Sequence, residues 1–310
     1  MTVLLNVIAP VFGILGLGFA AARLSVMEPA GVKGLVLFVF NFAIPTLLFR
    51  SMAGMELPDE IPWSFLAAFY AGALAVYAVG MGLARWVFHR PLDHQAIFGM
   101  AAGFSNTVLL GIPIVLTALG PEASLPIFLI IGFHSAILMP VTVGLIQLGR
   151  GQGVSPGAQL VFVAREIATN PIVMGLFLGL LANQVGLVLP GPVDRLAELL
   201  GGAAVPCALF AMGASLAQYP AGGDGTPAAL LTTLKLVVHP AIVWVVAGPV
   251  FGLEGIWLDS AVVMAAMPTG VNVYLFGARY DAAPSVAART VLLTSALAVV
   301  TLSLLLMLLA

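Results

Sequence analysis

The chain has 310 residues, of which 61% are hydrophobic and 8% charged, and its formal net charge is −2; its mean hydropathy is +1.14. A soluble domain carries roughly 25% charged residues, so water cannot solvate this surface and the composition points to an integral membrane protein. The lack of a basic stripe argues against a nucleic-acid partner, and the single cysteine, Cys207, excludes an intrachain disulfide and reads as a packing residue.

A spanning helix needs roughly 20 mostly apolar residues. Ten such segments are predicted in chain order: 4–22, 33–52, 63–88, 94–117, 124–147, 168–188, 196–218, 228–251, 258–279 and 284–309. Between them lie turn-forming stretches such as MEPAG, MELPDEIP, HRPLDH, GRGQGVSPG and YPAGGDGTP. The N-terminal stretch MTVLLNVIAPVFG lacks the basic region and small-residue cleavage site of a secretory signal, and it reads as the first span. Counted over alternate loops, Arg23, Lys33, Arg85, Arg90, Arg150, Arg165, Arg279 and Arg289 fall on one face, against Arg50 and Arg195 on the other. The positive-inside rule makes the first face cytoplasmic and puts both termini outside.

The ten spans read as two diverged copies, 1–150 (spans 1–5) and 151–310 (spans 6–10). A shift of 161 residues pairs Pro10 with Pro171, Gly18 with Gly179, Pro45 with Pro206 and Phe49 with Phe210. A shift of 166 pairs Asp93 with Asp259, Asn106 with Asn272, Leu109 with Leu275 and Gly111 with Gly277. Five spans per copy is odd, so the copies face the membrane in opposite senses: an all-α, 5+5 inverted repeat, an architecture of many secondary transporters. The change of shift between spans 2 and 4 marks a place where a two-domain boundary falls.

In span 4 the stretch GFSNTVLLGIP puts Ser105, Asn106 and Thr107 inside an apolar run, followed by Gly111 and Pro113. In span 9 MPTGVNVYLFG carries Pro268, Gly270, Asn272 and Tyr274. Gly111, Pro113 and Pro268 are the expected helix-break residues, because proline removes a donor and clashes with the preceding turn, and glycine adds flexibility. Such breaks survive in a bilayer only where protein or a wetted cavity satisfies the freed backbone groups. Matched breaks in two inverted repeats point to a transport site, where half-helix N-termini suit an anion. Asn106, Asn272, Ser105, Thr107, Gly270 and Tyr274 are the expected substrate contacts; taken singly, the same residue types also serve as helix-packing residues.

Other polar residues have two readings. Asn41 either faces the cavity or satisfies a carbonyl that Pro45 leaves unpaired. Lys235 and His239 share one face of span 8, and His134 lies deep in span 5; intramembrane ionisable groups are coupling candidates. For His134 the alternative is a neutral ring bonded to the backbone, and for Lys235 it is snorkelling to the interface. Asp93 and Asp259 read as helix-start acids.

The motifs SNTVLLGIPIV, ALGPEA, KLVVHP and MPTGVNVYLFGARY resemble the auxin efflux carrier family, over essentially all ten spans. The resemblance implies a fold like that of the bile-acid/sodium symporters, with a scaffold of spans 1, 2, 6 and 7 and a mobile core of spans 3–5 and 8–10, in which spans 4 and 9 cross. It implies carboxylate contact at Asn106. Bacterial relatives include malate and malonate permeases, and plant members carry a second proline where Val273 stands.

The sequence therefore predicts a secondary transporter for a small organic anion in a bacterial inner membrane, working by elevator-like alternating access. Proton coupling is preferred over Na⁺, and a homodimer through the scaffold is compatible with this reading. The alternatives are a passive uniporter or channel and a Na⁺-coupled carrier like the bile-acid symporters. No cofactor or metal is expected, and no nucleotide-binding, metalloprotease or nucleophile-elbow motif is present, so the chain is not read as an enzyme.

Overall fold

The computed structural model describes residues 8–58, 60–151, 153, 156–219 and 225–309. The start of the predicted span 4–22, both chain ends and parts of MELPDEIP, GRGQGVSPG and YPAGGDGTP lie outside the described residues. Among the described residues every regular element is a helix. In order the helices are α1 (Ala9–Arg23), α2 (Pro29–Ala53), α3 (Ser64–Val87), α4 (Leu92–Gly103), α5 (Thr107–Leu119), α6 (Pro121–Gly149), α7 (Pro156–Thr169), α8 (Pro171–Gln184), α9 (Gly191–Leu216), α10 (Gly225–Val250), α11 (Gly255–Ala265), α12 (Asn272–Arg279) and α13 (Pro284–Leu309). Of these α2, α3, α6, α9, α10 and α13 are long and apolar enough to cross a membrane.

Local chemistry explains the boundaries. Pro29, Pro121, Pro171 and Pro284 open helices, where the missing N–H would have been unpaired anyway. The Asn170 side chain accepts from the Ile172 N–H and caps α8. Gly120, at φ 85°, makes the tight link from α5 to α6 that a side chain would strain. Inside the helices, widened π-type turns cover 39–43, 107–111 and 234–238, each ending two residues before a proline: Pro45, Pro113 and Pro240. The wider turn moves the hydrogen-bond register past the residue that has no N–H, so the helix continues where a simple proline rule would end it.

This corrects the expected role of Gly111 and Pro113. Both lie buried inside continuous helix. The helix in this part of the chain is broken earlier, at Phe104–Asn106, where Phe104 takes an extended conformation (φ −88°, ψ 105°).

The chain divides into two compact units. The first comprises residues 1–62, 108–132 and 164–218. Its helices meet at glycines: Gly18 of α1 lies against the Phe210 carbonyl of α9, Gly213 of α9 against the Leu15 carbonyl, and Gly175 and Gly179 of α8 against the backbone of Pro45 and Phe49 in α2. Without a hydrophobic effect between helices in lipid, such close backbone approach supplies the packing energy. Asn183 donates from Nδ2 to the carbonyls of Met52 at 3.0 Å and Met55 at 2.7 Å, tying α8 to the C-terminal end of α2. Arg50 and Asp194 make a two-bond ion pair (2.8 and 3.2 Å) between α2 and α9.

The second unit comprises residues 63–107, 133–163 and 219–310. Its core gathers Val76, Phe98, Met100, Leu138, Leu231 and Val273, from α3, α4, α6, α10 and α12, and Phe104 from the break after α4. Here α4 sits on α3 through Gly99, against the Tyr77 ring, and Gly103, against the Ala73 carbonyl. The Tyr77 and Thr142 hydroxyls share a buried 2.9 Å hydrogen bond. Arg150 at the end of α6 bonds to the Asp93 carboxylate and the Tyr280 carbonyl. Asp93 lies in the first turn of α4, whereas Asp259 is well inside α11 and starts no helix.

Candidate functional site

The two interrupted helices of the second unit, α4 and α11, end at backbone breaks that bond to each other. Asn106 N–H donates to the Pro268 carbonyl at 2.8 Å, and Gly270 N–H donates to the Phe104 carbonyl at 2.9 Å. Ser105 and Thr269 thus face each other as one antiparallel bridge. A single rung of sheet inside a helical protein explains how the polar stretch is accommodated. Each break frees backbone groups, and the partner break satisfies them.

Several neighbouring groups are paired as well. Ser105 N–H donates to His134 Nε2 at 3.0 Å, and Thr269 N–H donates to Thr294 Oγ1 at 3.1 Å. Thr269 Oγ1 donates to the Ala101 carbonyl at 2.8 Å, near the end of α4. At the end of α11, Lys235 Nζ donates to the Ala265 carbonyl at 2.6 Å and lies 3.0 Å from His239 Nδ1. An ammonium suits that position, since a helix C-terminus carries partial negative charge and unpaired carbonyls.

Ser105, Asn106, Thr107, Thr269 and Gly270 are buried at the crossing. Pro268 lies in the break of the second helix. Asn272 is half-buried and is the first residue of α12; Tyr274 is half-buried two residues on, with its ring edge-on to Tyr219 at 4.7 Å. The bridge sets its own register. It pairs position 105 with 269, so a two-fold exchange relates Asn106 to Gly270 by 164 residues, not to Asn272 by 166. Asn272 stands two residues further on.

Lys235 is fully buried and does not snorkel. His134 and His239 are equally enclosed, with Phe69 between them: its ring lies 5.8 Å from each. Asn41 belongs to the first unit, is exposed, and donates from Nδ2 to the Leu37 carbonyl at 2.8 Å in its own helix. It does not share the crossing's unit.

The part of the site that composition does not single out is Thr269, Thr294 and Ala101. Their signal is weak because threonines in apolar helices ordinarily bond back to their own turn, as Thr294 also does to Thr290. Among the described residues no cluster of three potential ligands could hold a metal ion. The first unit contains an open groove of about 580 Å³ lined by Arg50, Asp194 and Glu198 among others, and none of the crossing residues borders it.

Comparison with known proteins gives the chain's family. Residues 3–306 match the family described as membrane transport protein. A candidate malonate transporter of Rhizobium meliloti is 29% identical over 302 residues, covering 97% of this chain and 94% of the relative. Auxin efflux carrier component 8 of Arabidopsis thaliana is 24% identical over 330 residues, covering 89% of each. The lysosomal cholesterol signaling protein of Mus musculus is 26% identical over 251 residues, covering 74% of this chain and 28% of the relative. With a family match across nearly its whole length and apolar helices to carry it through a bilayer, the chain belongs to the membrane transport protein family that includes the auxin efflux carriers: it is a multi-pass transporter and not an enzyme.

Proposed function

We propose that this chain is a secondary transporter for a small organic anion, a mono- or dicarboxylate, in a bacterial cytoplasmic membrane. The observation that carries the reading is the backbone bridge between Phe104–Asn106 and Pro268–Gly270. It brings two helix N-termini, those of α5 and α12, to the same buried place as Ser105, Asn106, Thr107 and Gly270. Their partial positive charge and the amide of Asn106 suit a carboxylate without burying a formal counter-charge. Asn272 and Tyr274 extend the site along α12. The candidate malonate transporter among the relatives supports a dicarboxylate, and its bacterial source supports the inner membrane.

The reading counts ten spans: the six helices long and apolar enough to cross a membrane, with α1, the α7–α8 segment and the two broken pairs α4–α5 and α11–α12 added to them. On this count the chain is a 5+5 inverted repeat, with both termini outside by the distribution of Lys and Arg. The first unit holds spans 1, 2, 6 and 7 and is read as the scaffold. The second holds spans 3, 8, 9 and 10, most of span 5 and the first half of span 4, and is read as the moving core; residues 108–132 group with the scaffold spans. Alternating access is motion of the core, with coupling carried by the His134, Lys235 and His239 cluster and by protons in preference to Na⁺. A homodimer through the scaffold is compatible with the reading.

The test is carboxylate flux in proteoliposomes. Malonate is offered to the wild type and to Asn106→Ala and Asn272→Ala, at varied pH and with and without Na⁺. Loss of saturable flux in the variants is expected. Unchanged transport in both sinks the site assignment, and flux without counterflow makes the protein a passive pore.

A further inference from the structure

The bond from Ser105 N–H to His134 Nε2 fixes the state of the imidazole. A nitrogen that accepts must carry a lone pair, so the ring is neutral and its proton sits on Nδ1. Nδ1 is buried and has no hydrogen-bond partner, and Ser105 Oγ is likewise unpartnered. His134 is only 1% exposed. Its ring lies tilted by 48° against Phe104, centroids 4.5 Å apart, and is flanked by Phe69 at 5.8 Å and Tyr70 at 6.3 Å. The titratable groups facing it are Tyr70 from α3 and Lys235 and His239 from α10; from the break it meets Phe104 and Ser105. No carboxylate among the described residues is ion-paired with His134, His239 or Lys235.

We propose that His134 is a positioning residue: its neutral ring latches the crossing through the Ser105 N–H, and uptake of a proton at Nε2 releases the latch. The inference rests on the crossing being the transport site. Proton balance is simple. A proton from water bonds to the Nε2 lone pair, and the Ser105 N–H···Nε2 bond breaks. An imidazolium has an N–H on both nitrogens and no acceptor, so two donors would then oppose each other in a site closed to water. The latched crossing and the charged ring therefore exclude each other. Proton binding favours the state in which the break has opened to water, which is the linkage a proton-coupled carrier needs.

The test combines spectroscopy with flux. In nanodiscs with ¹⁵N-labelled histidine, the His134 signals, identified by their loss in His134→Gln, should show a protonated Nδ1 and a bare, hydrogen-bonded Nε2 at neutral pH. On acidification, Nε2 protonation should coincide with faster exchange of the Ser105 amide. His134→Gln keeps an acceptor but cannot titrate. It should therefore hold the latch closed, carrying little malonate at any pH and showing none of the wild type's pH dependence. His134→Leu offers no acceptor and should lose flux roughly tenfold at every pH, because the Ser105 N–H is left buried and unpaired.

An Nε2-protonated neutral ring, a wild-type pH profile in His134→Gln, or full flux in His134→Leu overturns the latch. If His134→Gln does not fold, the tautomer and amide exchange measured in the wild type, with His134 then identified by an Ala substitution at each other histidine in turn, decide the matter. Undiminished flux in Asn106→Ala and Asn272→Ala, with the latch signature intact, overturns the site reading and leaves the latch standing as a structural device.

Discussion

Gly18 of α1 lies so close to the carbonyl of Phe210 in α9 that no side chain fits between them. The same contact recurs with its partners exchanged, since Gly179 of α8 lies against the carbonyl of Phe49 in α2. Adding 161 to 18 gives 179, and adding 161 to 49 gives 210, so the two contacts interchange under the shift that aligns the sequence halves. That reciprocity supports the repeat reading for the first unit.

A contrast on one helix tests the close approach. Gly18→Ala puts a methyl into the Phe210 backbone and should destabilise the protein by about 1–3 kcal/mol through overpacking. Gly16, two residues earlier, has open space around it: a Cβ there would meet nothing within 4 Å. Gly16→Ala should be neutral or stabilising by up to about 1 kcal/mol through helix propensity. Thermal unfolding in detergent checks both; equal effects at the two positions would contradict the packing described.

Gly270 tests the crossing itself. A Cβ there would lie 2.7 Å from the Phe104 ring and 3.2 Å from the Ser105 carbonyl. The ring cannot swing away freely, because it is packed against His134. Gly270→Ala should therefore lower malonate flux roughly tenfold while the protein stays folded, a perturbation on the scale of overpacking. Phe104→Leu in the same chain should restore part of it. Absence of rescue in the double variant would show that the loss has another cause.

Asn183 tests the helix end in the first unit. Its Nδ2 reaches the carbonyls of Met52 and Met55 and, at 3.3 Å, that of Ala53. Asn183→Ala leaves those acceptors without this donor and should cost about 1–2 kcal/mol. Asn183→Asp turns an acceptor-only, charged group on the same carbonyls and should cost more than alanine does. Chemical or thermal unfolding in detergent gives the order; a milder effect for aspartate would refute it.

The apolar helices are legible because each needs a long apolar run between polar or turn-forming stretches, and most predicted segments lie within a few residues of the helices found; the exception is α7 (Pro156–Thr169), almost all of which precedes the segment predicted at 168–188. The breaks are legible as a pair but not in detail. Proline and glycine spell a break at Gly111 and Pro113, yet the widened turn at 107–111 absorbs Pro113, and the actual break follows Gly103. Its location depends on bonds to Pro268 and Gly270, over 160 residues away, which no local pattern encodes. The two-residue difference between the 166 alignment and the 164 register of the bridge has the same origin, because backbone pairing and side-chain resemblance need not share a register. Lys235 can be read as snorkelling because sequence shows a charge within a span but not the carbonyl that receives it.

Asn41 separates the two meanings a membrane asparagine can have. Its place four positions before Pro45, within the turn that widens at 39–43, makes it a candidate cavity residue. In the structure its amide donates back to Leu37, one turn earlier in the same helix. A polar side chain that satisfies its own backbone is available at little cost in lipid or water, and its loss removes one bond without orphaning a partner deep in the core. Asn41→Ala should change stability by no more than about 1 kcal/mol and leave malonate flux and its half-saturation concentration as in the wild type. Asn106→Ala, measured alongside, should lose flux. A rise in the half-saturation concentration for Asn41→Ala comparable to that of Asn106→Ala would return Asn41 to the substrate path.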